Sequence, residues 1–134
     1  MPRKPASEQL TPLELEIMKV LWRQGPSAVQ AVQDELGRER PLAYNTVQTM
    51  LNVLLKKGKV RRDRRERAYV YAPALTRVQA VRQAVQDLVH RMFEGSPEDL
   101  VMSLIETRQL TPERVERLAA LVQARKEEGR REKS

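Results

Sequence analysis

The apolar positions of this chain recur at intervals of three and four, switch once to an interval of two, and then return to three and four. The first stripe is Leu13, Ile17, Val20 and Leu21, with Leu15, Met18 and Trp22 beside them. Thr11-Pro12-Leu13-Glu14 reads as its start: a threonine N-cap, proline at the first helical position and a glutamate closing a capping box. Leu10 and Leu15 stand at the positions of a hydrophobic staple, and Gly25-Pro26 stops the helix. Ser27-Ala28-Val29-Gln30 predicts a second boxed start, followed by Val29, Val32 and Leu36, with Gly37 as the end. Pro41 closes the polar connection that follows. A third helix is predicted from about Ala43 to Lys57, before Gly58. Val47, Met50, Leu51, Leu54 and Leu55 form one face of it, and Asn45, Gln48, Thr49, Asn52 and Lys56 line the other.

The interval of two follows at once. Val60-Arg61-Arg62-Asp63 and Ala68-Tyr69-Val70-Tyr71-Ala72 predict two short strands, joined by the basic turn Arg64-Arg65-Glu66-Arg67 and ended by Pro73. Three helices and a two-stranded ribbon, in that order, predict a winged helix-turn-helix. Helical spacing then resumes. Thr76 with Gln79 opens a long helix carrying Val78, Val81, Val85, Leu88, Val89 and Met92, ended by Gly95. Ser96-Pro97-Glu98-Asp99 opens a short one with Leu100, Val101, Leu104 and Ile105. Thr111-Pro112-Glu113 opens another short one with Val115, Leu118, Leu121 and Val122, and Leu110 and Val115 repeat the staple. The charged end from Arg125 to Ser134 is expected to fray. The expected fold is mainly α: an arm over 1–9, a winged helix over 10–74, a helical dimerisation domain over 75–128 and a charged tail over 129–134.

A helical part so small buries little surface by itself. Its stripes call for a second copy of the chain, joined through Val81, Val85, Leu88, Leu100, Leu104, Val115, Leu118 and Val122.

Composition narrows the chemistry. Among 134 residues there is no cysteine and one histidine, which excludes disulfides, thiolate metal sites and multi-histidine metal sites. No Ser-His-Asp set or glycine-rich phosphate cradle is present, so neither catalysis nor a cofactor has a candidate. No apolar run approaches the roughly 18 residues of a membrane span, and the first ten residues lack a signal-peptide core, so a cytoplasmic protein is expected. The net charge of +7 points to a polyanion. It is uneven: residues 1–75 carry +6 and residues 76–134 carry +1.

The third helix is the candidate reader of double-stranded DNA. Asn45, Gln48, Thr49 and Asn52 are types that hydrogen-bond base edges in the major groove, and Tyr44 and Thr46 suit phosphate oxygens. A merely solvated face is usually rich in Glu and Lys; no acid occurs between Ala43 and Val60. From Lys56 to Arg67, eight of twelve residues are Lys or Arg. Lys56, Lys57, Lys59, Arg62, Arg64, Arg65 and Arg67 are the expected backbone contacts, with affinity that falls as salt rises. Trp22 is expected to pack on the first helix's stripe, and Tyr69 and Tyr71 to pack the ribbon onto the helices, with a hydroxyl in reach of phosphate. His90 is expected at the surface or an interface. Two other readings fit a basic winged helix: a nonspecific architectural DNA-binding protein, and a protein-interaction module.

The stretches Leu13-Glu14-Leu15-Glu16-Ile17-Met18-Lys19-Val20-Leu21-Trp22, Tyr44-Asn45-Thr46-Val47-Gln48-Thr49-Met50-Leu51, Lys57-Gly58 and Arg67-Ala68-Tyr69-Val70-Tyr71-Ala72-Pro73 resemble the penicillinase repressors, the BlaI/MecI/CopY group. The resemblance spans nearly all of residues 10–75 and is looser beyond. It implies a homodimeric transcriptional repressor on an inverted-repeat operator, often of β-lactam-resistance genes. It also implies, as a partner, a membrane sensor-protease that cuts the C-terminal domain. The corresponding stretch here is Leu100 to Glu106, where Ser103-Leu104 stands in place of the Asn-Phe pair of relatives that are cut. The copper-responsive branch uses a C-terminal cysteine cluster, which this chain lacks.

Overall fold

A computed structural model of the chain describes residues 9–133. The arm predicted over 1–9 therefore lies, but for Gln9, outside the described residues. The elements run α1 (Pro12–Gln24), α2 (Val29–Leu36), α3 (Tyr44–Lys56), β1 (Val60–Arg65), β2 (Ala68–Pro73), α4 (Arg77–Met92), α5 (Pro97–Glu106) and α6 (Pro112–Lys133). The fold is mainly helical, with one two-stranded antiparallel ribbon as the wing. It divides into two compact units, Met1–Ala84 and Val85–Ser134.

The first unit holds the core. Ile17, Met18 and Leu21 of α1, Val32 of α2, and Val47, Leu51 and Leu54 of α3 are fully buried. Burial of side chains this size contributes roughly 1.5–3 kcal/mol each. Val60 and Tyr71 bring the base of the wing into the same cluster. The Thr11 box forms as its residues predict: the Glu14 N–H donates to Thr11 Oγ1 at 3.2 Å, and the Thr11 N–H to Glu14 Oε1 at 2.8 Å. Trp22 packs on the cluster and donates its indole N–H to the Leu75 carbonyl at 2.9 Å. That bond fixes the chain just before α4. Gly58, at φ 75°, lets α3 reverse directly into β1.

Four local expectations need correction. The N-cap of α2 is Ala28, without a side-chain bond, and not a Ser27 box. Ser27 is extended instead and exchanges two backbone hydrogen bonds with Tyr71, at 2.9 and 2.8 Å. Its hydroxyl turns to the Gly25 carbonyl. The strands of the wing are longer than predicted: Arg64 and Arg65 pair with Tyr69 and Ala68 rather than forming the turn. Glu66 makes this possible by adopting a left-handed φ of 57°, so that Glu66 and Arg67 alone close the hairpin.

The last helix is the longest of those described, at 22 residues, and the end expected to fray is helical through Lys133. Lys, Arg and Glu are good helix formers, and Glu127 stands four residues before Arg131, the favourable order for a helix pair. Finally, Tyr69 and Tyr71 share a face of β2 but not a role. Tyr71 is 1% exposed and Tyr69 is 43% exposed.

From α4 onward, no side chain described is buried. Thr76, Ser96 and Thr111 cap α4, α5 and α6 as their sequences predict. Val81, Val85, Leu88, Leu118 and Val122 are exposed, as are Val78, Met92, Met102 and Leu121. Leu100, Leu104 and Val115 are half-buried. No helix among the described residues is long and apolar enough to cross a membrane.

Candidate nucleic-acid interface

The exposed side of α3 follows from the packing of its other side. With Val47, Leu51 and Leu54 in the core, Asn45, Gln48, Thr49, Asn52 and Lys56 face outward, and Tyr44 and Thr46 are exposed at its first turn. Ala43 gives α3 no side-chain cap, as Ala28 gives none to α2, whereas α1, α4, α5 and α6 each begin on a serine or threonine bond. The first N–H groups of both helices of the helix-turn-helix therefore receive no neighbouring hydroxyl. They carry the positive end of each helix dipole.

The wing stands beside this face because Gly58 is the only residue between the end of the α3 turn at Lys57 and Lys59, which leads into β1. Arg61, Arg62, Arg64, Arg65 and Arg67 are all exposed on it. Arg61 belongs to the same cationic cluster, although its strand position did not single it out among the expected contacts. Asn52 joins helix to ribbon: its Oδ1 accepts a long contact, 3.4 Å, from the Tyr71 hydroxyl. Asn52 is exposed all the same, as are Asn45, Gln48 and Thr49.

Lys57 does not belong with the outward cations. Its Nζ lies 2.8 and 2.9 Å from the two carboxylate oxygens of Glu14 and also donates to the Gln9 carbonyl at 3.2 Å. Its side chain is 14% exposed and that of Glu14 is 1% exposed. Burial pushes the Glu14 carboxyl up, but the hydrogen bond from Lys57, the Thr11 N–H, the Lys57 charge and the Thr11 side chain together outweigh it. The carboxyl is held below its ordinary value. Lys57 therefore ties the end of α3 to the start of α1. Lys59 is half-buried, and its carbonyl accepts the N–H groups of Ala74 and Leu75.

The residue that sequence reasoning placed wrongly is Tyr69, expected to pack the ribbon and left exposed instead. Its ring carries the guanidinium of Arg62 at 4.2 Å from the centroid, with that of Arg64 at 5.8 Å. The signal was present in the alternation of the ribbon, which puts Arg62, Arg64, Tyr69 and Tyr71 on one face. Nothing in the sequence told which tyrosine the core would take. Elsewhere, His90 is exposed on α4. Among the described residues no group of His, Cys, Asp or Glu could hold a metal. Ser103 and Leu104 lie inside α5, half-buried, and the Leu104 carbonyl accepts the N–H groups of Gln109 and Leu110 at 2.9 and 3.0 Å.

Known proteins are similar to this chain over most of its length. The family model described as Penicillinase repressor matches residues 10–124. The Penicillinase repressor of Bacillus licheniformis is 28% identical over 118 residues, 88% of this chain and 92% of that one. The Transcriptional regulator BlaI of Mycobacterium tuberculosis is 36% identical over 100 residues, 73% of this chain and 72% of that one. Among solved structures, that of the monomeric form of Bacillus licheniformis BlaI in complex with the blaP half-operator is 33% identical. It covers 59% of this chain and 93% of that one, with a TM-score of 0.48. A family match running from the staple residue Leu10, through the helix-turn-helix and the wing, well into α6 leaves one assignment: the chain belongs to the penicillinase-repressor family of transcriptional regulators.

Proposed function

We propose that this chain is a sequence-specific DNA-binding transcriptional repressor that acts as a homodimer on an inverted-repeat operator. The observation that carries the reading is the exposed face of α3: polar, without an acid, and beside a ribbon of five exposed arginines. In the proposed complex, Asn45, Gln48 and Thr49 meet base edges in the major groove, where paired hydrogen bonds to adenine and a methyl contact to thymine distinguish sequences. Asn52, one turn further along α3, belongs to the same readout face. Tyr44, Thr46, Lys56 and the wing arginines meet phosphates. Two copies joined through α4–α6 read half-sites one helical turn, about 34–36 Å, or a multiple of it, apart. Repression follows from occupancy of a promoter and needs no catalysis.

Release requires weakening the dimer or the DNA contacts, because separating the half-sites forfeits avidity. Cleavage at Ser103-Leu104 by a membrane sensor-protease would separate them, but the protease would first have to unwind α5, since the Ser103 carbonyl of that bond accepts from the Thr107 N–H at 3.0 Å and the Thr107 hydroxyl at 2.8 Å.

The test is a footprint on the DNA flanking the chain's own gene. A pair of protected half-sites is expected; even coverage of all DNA would replace the repressor by a nonspecific coat, and no salt-dependent binding at all would favour a protein partner. Asn45→Ala and Gln48→Ala should then each reduce operator binding by about 1–3 kcal/mol while leaving background binding nearly unchanged. Equal losses on both DNAs would remove α3 from sequence readout.

A further inference from the structure

We propose that Tyr69 is the positioning residue of the wing: its ring holds Arg62, and beside it Arg64, ready to meet DNA phosphates. This rests on the DNA-binding reading above and adds to it a residue that touches neither base nor phosphate.

The geometry starts with register. Arg64 pairs with Tyr69 and Arg62 with Tyr71, so the four alternate on one face of the ribbon. The inner end of that face, at Tyr71, is in the core. Two residues outward, Tyr69 is left 43% exposed, and the groups over its ring are the two guanidiniums. As a device for stability alone, this would be a poor choice. It brings two like charges to one exposed ring, where an acid or a threonine opposite them would suit a hairpin better. As a device for binding an anion it is apt. A free arginine must surrender rotamer freedom when it meets a phosphate; an arginine already held over an aromatic ring has lost part of it beforehand. A contact with the face of a ring occupies no hydrogen-bond acceptor, so the guanidinium N–H donors are not spent on it and remain for phosphate oxygens.

The experiment uses the full chain and a short mixed-sequence duplex, because phosphate contacts do not depend on sequence. Affinity is measured over a range of salt. Tyr69→Leu should weaken binding about fivefold per wing, the size of an exposed cation–π contact at its upper end. It should also lower the slope of log affinity against log salt by about one for each phosphate that is no longer neutralised. Tyr69→Phe should restore both affinity and slope, since the ring and not the hydroxyl does the holding. Adding Tyr69→Leu to Arg62→Ala and Arg64→Ala together should cost no more than that pair alone. A purely structural tyrosine would lower the melting temperature and leave the slope alone. If Tyr69→Leu does not melt cooperatively, Tyr69→Thr, which keeps the strand preference, takes its place. An unchanged slope, or losses that add in full, would overturn the role of Tyr69 while leaving the DNA-binding reading intact. Failure of the unmodified chain to bind any duplex would overturn both.

Discussion

Glu14 and Lys57 are 43 positions apart, yet they make the one ion pair among the described residues in which both side chains are shielded from water. Removing one partner would leave the other charge poorly solvated. Glu14→Gln should therefore cost about 3 kcal/mol, the lower end for a broken buried pair, read as a lower urea midpoint. The pH dependence follows in sign. The folded carboxyl sits below its ordinary value, so its contribution is full above the carboxylate range near pH 4.3 and is lost as pH falls through the folded value. The acid limb of stability should be shallower in Glu14→Gln. The sequence made half of this arrangement legible. The Thr11–Glu14 box could be read because its members are three apart. The partner at Lys57 could not, because a lysine in a basic run looks like every other lysine until the fold brings a buried carboxylate to it.

At the scale of elements, the caps, the stripes and the change of period suffice to give the order of helices and strands. They fail where an element borrows a neighbour. Ser27 carries the signature of an N-cap, but the Tyr71 backbone claims it as a third strand position. The turn of the wing escapes the sequence pattern because glutamate is not a residue that advertises a left-handed conformation, yet Glu66 adopts one. The consequence for function is that Arg64 and Arg65 sit on paired strands with defined directions, on opposite faces of the ribbon, and not on a loose turn. Arg64→Ala combined with Arg65→Ala should weaken binding to every duplex. The salt slope should fall by about one if only the face bearing Arg64 meets the backbone and by about two if both do. A titration of affinity against salt decides between them, and an unchanged slope would detach the wing from the DNA backbone.

For the whole molecule, the two units differ in kind. The first closes its own core around α1–α3 and the base of the wing; the second keeps Leu118, Leu121 and Val122 of α6 in contact with solvent, and Val81, Val85 and Leu88 of α4 are exposed as well. Their spacing is readable from the sequence because a stripe survives whether or not it is covered. What covers it is not, because periodicity does not distinguish an intramolecular neighbour from a second chain. With a second copy as the cover, Leu118→Asp should give monomers in sedimentation, and a persisting dimer would move the interface off α6. The indole bond from Trp22 to Leu75 has a practical counterpart to this division. Trp22 is the only tryptophan in the chain, and the three tyrosines, at 44, 69 and 71, lie in the same unit. Intrinsic fluorescence is thus a private signal of the DNA-binding half, most sensitive where its chain leaves for α4, whereas the helical circular dichroism is shared with α5 and α6. The chain carries one lamp, and it lights the reading head alone.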